Sequence, residues 1–309
     1  METTLSLDLL PQLLRQTFGA KVELHDYRIG NQHHDYLVLL AQLQHPSVRV
    51  VIKLAGPEAP LACPFDRTAM LHKLVATHTT VPMPEVLAVN VSYRDWPWRY
   101  FIKTHIPGVE WAAVRPQLDE GALSGAYRQI GDAVAQLHSI HFPMFGELVV
   151  DGSVRGDGSF LVALAERVRH SVQSVRLRDL FFAALERRRD LFMGVRQAGL
   201  CHEDLHKYNL LFQQQQGQWR LATILDFDKA WAGHHESDLA RLELWEGTVS
   251  ETFWQSYEAL CPLDPLYTQR RPLYQFLWCL EYAQPTTEHL ADTQRLCAEL
   301  GLPPLERFD

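Results

Sequence analysis

The prevailing hydrophobic pattern of this chain shifts at Pro107-Gly108 from extended to mainly helical, and that shift limits the folds open to it. Before it, apolar residues run in short extended blocks: Val22 to Ile29, Tyr36 to Leu43, and Val48 to Leu54, which is rich in β-branched residues and carries Lys53. Blocks at Glu85 to Val91 and Tyr100 to Ile106 complete a strand-rich part, with one helix over Asp66 to Ala76 marked by Met70, Leu71 and Leu74. After it, Tyr127, Ile130, Val134, Leu137 and His141 recur at helical spacing on one face, and residues 160–198 also read as helical. The pattern predicts an α+β chain with an antiparallel sheet lobe over 1–105 and a larger, mostly helical lobe over 106–309. A chain of 309 residues, 47% of them apolar, is long for one core and suits two.

Bulk features exclude several function classes. Five cysteines (Cys63, Cys201, Cys261, Cys279, Cys297) with no C-x-x-C spacing fit neither a disulfide framework nor a structural zinc site, and point to a reducing cytoplasm. No run of about 18 apolar residues occurs, so no membrane span is expected, and no leader is read at the N-terminus. Nucleic-acid binding would need a basic stripe, and the one dense basic run, Arg187-Arg188-Arg189, reads as an exposed helix face.

The most informative local geometry surrounds Gly217. Asn209 to Phe212 and Trp219 to Leu225 are extended, and Gly217 lies midway between Asn209 and Asp226. A hairpin folded there sets those two residues opposite each other, with Cβ atoms roughly 5 Å apart. Two oxygen donors so placed suit a hard cation such as Mg2+. Just upstream, Cys201-His-Glu-Asp-Leu-His-Lys-Tyr-Asn209 contains H-x-D-x-x-x-x-N, in which Asp204 can orient a hydroxyl and take its proton. Phosphoryl transfer asks for these parts: a carboxylate at the acceptor and a metal at the phosphates.

The loop, with Ile224-Leu-Asp226-Phe227 following it, resembles the catalytic loop and metal-binding Asp of the bilobal protein-kinase-like fold. Gly233, Asp238-Leu-Ala240, Ala135-Gln-Leu-His-Ser-Ile140 with Phe145-Gly146, and Val81-Pro-Met-Pro-Glu-Val86 are similar to the aminoglycoside phosphotransferase family, over about Tyr27 to Leu242. The resemblance implies ATP or GTP as phosphoryl donor and a small acceptor bearing a hydroxyl. It implies Lys53 on the nucleotide phosphates, Gly30 as a phosphate-loop glycine, and nucleotide contacts at Thr104, His105 and Ile106 beside the hinge. It also implies Asp204 as catalytic base, His202 and Asp238 as supports of the loop, and Asn209 and Asp226 on the metal. The chain departs from the pattern in three places. The helix Asp66 to Ala76 offers Asp66, and no glutamate, to pair with Lys53; Glu203 precedes the catalytic Asp where relatives carry Gly or Arg; and only 12 residues separate Asp226 from Asp238, too few for a long regulated segment.

Two rival readings follow from the same residues. His202-Glu-Asp-Leu-His206 spells H-E-x-x-H, which on a helix would hold zinc with Glu203 as general base. The missing glutamate and single glycine also fit a kinase-like protein that binds nucleotide without turnover. For the acceptor, the charge map is suggestive: residues 231–309 hold 13 carboxylates against 5 Lys and Arg, and so carry the whole net charge of −8. Glu243 and Glu246, three apart, are expected to share a helix face toward a cationic acceptor such as an aminoglycoside, with Glu236 and Glu281 as further candidates.

Overall fold

The computed structural model describes residues 7–308 except 34, 60, 62 and 285. The chain divides into two compact units: residues 1–108 with 150–152 and 222–229, and the remainder. The expected boundary after residue 105 thus moves three residues on, and Ala222–Lys229 joins the strand-rich unit from far along the chain.

In the first unit, α1 (Leu10–Phe18), β1 (Glu23–His33), β2 (Tyr36–Gln44), β3 (Val48–Ala55), α2 (Phe65–His78), β4 (Val86–Asn90) and β5 (Arg99–Thr104) follow in order, and the antiparallel sheet runs β1-β2-β3-β5-β4. Period-2 patterning decides its two faces. Leu37, Leu39, Ala41, Leu43, Val50, Ile52 and Leu54 point to one side and are buried with Leu10, Leu13 and Leu14 of α1 and with Trp96 and Trp98. Tyr36, Val38, Leu40, Val51 and Lys53 alternate to the other side and remain half-buried. The α2 helix packs on β4 and β5, where Phe65 and Phe101 meet at 6.1 Å between ring centroids.

The second unit holds β6 (Val109–Glu110), α3 (Trp111–Val114), α4 (Glu120–His138), β7 (His141–Phe142), β8 (Phe145–Leu148), β9 (Val154–Asp157), α5 (Phe160–Ser171), α6 (Val175–Arg187), β10 (Ala198–Cys201), β11 (Leu210–Gln215), the start of β12 (Gln218–Ile224), β13 (Trp231–Gly233), α7 (Glu236–Leu244), α8 (Glu251–Glu258), α9 (Tyr267–Tyr282) and α10 (Thr287–Glu299). Five short strands form a sheet of order β7-β10-β13-β8-β9. The α4 helix buries Tyr127, Ile130, Val134 and Leu137 but ends at His138, so His141 lies beyond it, exposed on β7. At Gly131 a Cβ would stand 2.5 Å from the Phe253 carbonyl, so only glycine lets α4 and α8 approach this closely. Helix does not persist through 160–198 either: it breaks between α5 and α6 and gives way to a 3-10 turn at Arg189–Phe192 before β10. Arg187 and Arg188 donate to the carbonyls of Gly301, Leu300 and Glu299 at 2.7–3.1 Å, which caps the C-terminal end of α10 with positive charge.

Candidate active site

Each unit carries its own set of chemically disposed residues. In the first, Lys53 projects from β3 and hydrogen-bonds the Tyr36 hydroxyl from the neighbouring strand. Burial alone would lower its pKa, but Asp228, Tyr36 and Asp226 outweigh it and raise the ammonium above its ordinary value. The missing glutamate is therefore replaced by carboxylates from another part of the chain. On α2, Thr68 instead donates to Asp228 at 2.9 Å, while Asp66 accepts from the N–H of Arg67 at the helix start.

A second lysine shares this face, since Lys103 on β5 lies across from Val51, two residues before Lys53. Burial, then repulsion from Lys53, pushes Lys103 down to about 8, with Asp228 and Asp226 opposing the shift. Burial, then Lys103 and Lys53, likewise pushes His72 down to about 3, so it packs as a neutral ring against Phe101 and Phe227. Two ammonium groups facing Asp226 and Asp228 make a place where an anionic phosphate and a hard cation could both be compensated. Asp226 itself has a φ of 66°, in the left-handed region that non-glycine residues seldom adopt. Lys103, Tyr36, Thr68 and Asp228 escaped the sequence reading, although Asp228 stands two residues from Asp226 and was visible as a second carboxylate.

Gly30 lies within β1 at a register irregularity between Ile29 and Asn31, and a Cβ there would make only ordinary contacts of 3.5 Å and beyond. The tight turn comes later, at Asp35, with a φ of 54°. Of the hinge residues, Thr104 and His105 already spend their N–H groups on the carbonyls of Glu85 and Arg49, both at 2.9 Å. Among the described residues the N–H of Ile106 has no backbone partner.

In the second unit the loop after β10 is held by one carboxylate. Asp238, fully buried in the first turn of α7, accepts from the backbone N–H groups of His202 (2.6 Å) and Glu203 (2.7 Å), and lies 3.1 Å from Nε2 of His138. Burial would raise its pKa, but the His138 bond and the backbone donors keep it below the usual value. The His138 ring is fixed from behind, with Nδ1 2.8 Å from the Tyr257 hydroxyl. The loop then turns so that the N–H of Asp204 meets Nδ1 of His202 at 3.2 Å. Asn209 closes it, donating from Nδ2 to the Asp204 carbonyl at 2.9 Å, which fixes the amide and leaves Oδ1 as its oxygen donor.

Glu203 departs most clearly from the pattern. It sits at a φ of 63°, where a side chain costs about 1–2 kcal/mol and glycine almost nothing. Its buried carboxylate accepts from Trp231 Nε1 (2.8 Å) and Ser237 Oγ (2.5 Å) and lies near Arg241 (3.3 Å) and Arg167 (3.5 Å). Those bonds offset the backbone strain and rivet the loop to β13 and α7. Arg241 also reaches Glu281 at 3.1 Å and approaches Asp204 Oδ1 at 3.9 Å, and the same Oδ1 accepts from the Tyr282 hydroxyl.

The backbone over 202–206 is not helical, so the two imidazoles of H-E-x-x-H do not share a helix face and Glu203 is committed elsewhere; the zinc reading is overturned. The acidic acceptor surface fares no better. The α7 helix ends at Leu244 and Trp245 is extended, so Glu246 leaves the face that carries Glu243. Glu243 is bound by the Tyr267 hydroxyl at 2.6 Å and by Arg271 at 3.1 Å. Glu236 is fully buried in a two-point pair with Arg270, at 2.5 and 2.7 Å, and Glu281 is paired with Arg241 and Arg167. Much of the excess negative charge in sequence is thus internally compensated.

The model of the phosphotransferase enzyme family matches residues 14–273, most of the chain. The chain belongs to this family. As a family member it is a phosphotransferase acting on a small molecule, with an α+β, protein-kinase-like fold. Among solved structures, a candidate fructosamine-3-kinase from Thermobifida fusca is similar at a TM-score of 0.67 and 16% identity, over 94% of this chain and 98% of that one. A thermostable mutant of aminoglycoside phosphotransferase APH(4)-Ia, in ternary complex with AMP-PNP and hygromycin B, gives 0.63 and 16%, over 95% and 97%. The streptomycin-ATP complex of APH(2")-IIa gives 0.60 and 15%, over 97% and 100%. At these identities the likeness is one of fold. Comparison with curated proteins finds no match. No helix among the described residues is long and apolar enough to cross a membrane.

Proposed function

We propose that the protein transfers the γ-phosphoryl group of ATP to a hydroxyl of a compact small-molecule acceptor. The observation that carries this reading is Asp204, held in a loop that Asp238 pins by two backbone N–H groups, in a chain of the phosphotransferase family. Solved relatives of the fold bind AMP-PNP or ATP, which favours ATP over GTP as donor. Asp204 takes the acceptor hydroxyl's proton, the acceptor oxygen forms a bond to the γ-phosphorus, and the bond from that phosphorus to the bridging oxygen breaks, with ADP leaving as the electron pair goes to that oxygen. Lys53, already charged and oriented by Tyr36, binds phosphate oxygens. Magnesium, with Asp226 as a protein oxygen donor, would neutralise the charge of the phosphates.

A thermal-shift titration tests the donor half. MgATP is expected to raise the melting temperature of the parent by mass action, and Asp226→Ala to lose most of that metal-dependent rise. A variant that keeps the full rise would remove Asp226 from the metal. A parent indifferent to ATP and GTP alike would remove the nucleotide.

A further inference from the structure

A cavity of about 280 Å³ in the second unit lies against the loop carrying Asp204 and is lined by His206, Trp245, Trp278, Tyr282, Glu288 and Asp292, with His289 behind them. We infer that this cavity is the acceptor subsite and that it selects a compact hydroxylated monocation, held by the indole corner of Trp245 and Trp278 with Glu288 and Asp292 as its counter-charges. The inference rests on the phosphotransferase reading and names the substrate class that reading leaves open.

Four observations carry it. The cavity adjoins the proposed base, since its wall residue Tyr282 donates its hydroxyl to Asp204 Oδ1. Its walls are aromatic, with Trp245 and Trp278 meeting at 5.6 Å and 77°, Trp278 and Tyr282 at 4.9 Å, and His206 and Trp245 at 5.6 Å. Ring faces attract cations through their quadrupole, and the Trp245 ring already has the Lys207 ammonium 5.7 Å from its centroid.

The charges that line the cavity are those of Glu288 and Asp292; Lys207 stands beside Trp245, Arg295 pairs with Asp292 at 3.6 Å, and Arg241 lies 3.9 Å from Asp204. A volume near the lower end of small-molecule sites, which run about 300–1,000 Å³, fits one ring or an amino alcohol better than a three-ring polycation.

The test is isothermal titration of the full chain with two matched pairs, choline against 3,3-dimethylbutan-1-ol and glucosamine against glucose, with kanamycin as the polycation. At least one monocation is expected to bind about tenfold tighter than its uncharged counterpart and tighter than kanamycin. The preference should fall at least fivefold in Glu288→Gln/Asp292→Asn, fall in Trp278→Leu and return in Trp278→Phe. Equal affinity for the charged and uncharged members, tighter binding of kanamycin, or no binding by a folded protein that still binds MgATP would each overturn the inference. A parallel assay of phosphoryl transfer keeps the two claims apart. Charge-selective binding without transfer contradicts the phosphotransferase chemistry alone, whereas transfer to acceptors indifferent to the Glu288, Asp292 and Trp278 changes contradicts the subsite alone.

Discussion

Asp204→Asn is expected to lower kcat by about 10²- to 10⁴-fold, the usual contribution of a positioned general base, while nucleotide affinity stays within a few-fold. Asparagine keeps the shape, and its Oδ1 can still accept from the Tyr282 hydroxyl, so the loop should hold its course. Lost are the proton acceptor and one negative charge near Arg241, which retains Glu203 at 3.3 Å and Glu281 at 3.1 Å as counter-ions. Steady-state kinetics with a saturating acceptor checks this. A variant within about threefold of the parent would show that Asp204 is not the base.

Asp238→Ala should be the most damaging single change to the second unit, costing about 3–5 kcal/mol. It strips two buried backbone N–H groups, those of His202 and Glu203, of their acceptor, and it removes the partner of the fully enclosed His138 ring. Each unmet buried donor costs about 1–3 kcal/mol, and the cavity adds to that. Asp238→Asn should cost less, since one amide oxygen can still accept. The pH dependence has a definite sign. Because the native carboxyl is held below its ordinary pKa, its contribution is fully present above the ordinary carboxylate range and is lost as pH falls through the lower native value. Urea unfolding of parent and variant should therefore converge on acidification; a midpoint for Asp238→Ala equal to the parent's at neutral pH would contradict this account.

The fold and the family were legible because their signals are local. The alternation along Tyr36 to Leu43 and Val48 to Leu54 fixes which side chains share a face, and the loop from His202 to Asn209 is a run of consecutive residues whose order itself carries the chemistry. What stayed hidden depends on pairing across long separations. Sequence shows that α2 lacks a glutamate but not that Asp228, 160 residues from Thr68, takes up that place beside Lys53. It shows an acidic C-terminal third, yet Glu236 meets Arg270 34 residues on, and Arg241 binds Glu281 40 residues on. The facing of Glu243 and Glu246 failed for a local reason, an extended Trp245 that ends the helix before the spacing can operate. Glu203 read as a deviation, and only its four partners explain how a glutamate holds a position that suits glycine.

The most direct test of the account is a transfer assay with γ-labelled ATP, magnesium and the compact ammonium alcohols named above, following the label into the acceptor and the ADP released. The account predicts ADP and phosphorylated acceptor in equal amounts, dependent on both magnesium and acceptor, and formed about 10²- to 10⁴-fold more slowly by Asp204→Asn. Label that passes only to water, or ADP release indifferent to every hydroxylated acceptor and to the loss of Asp204, would contradict it.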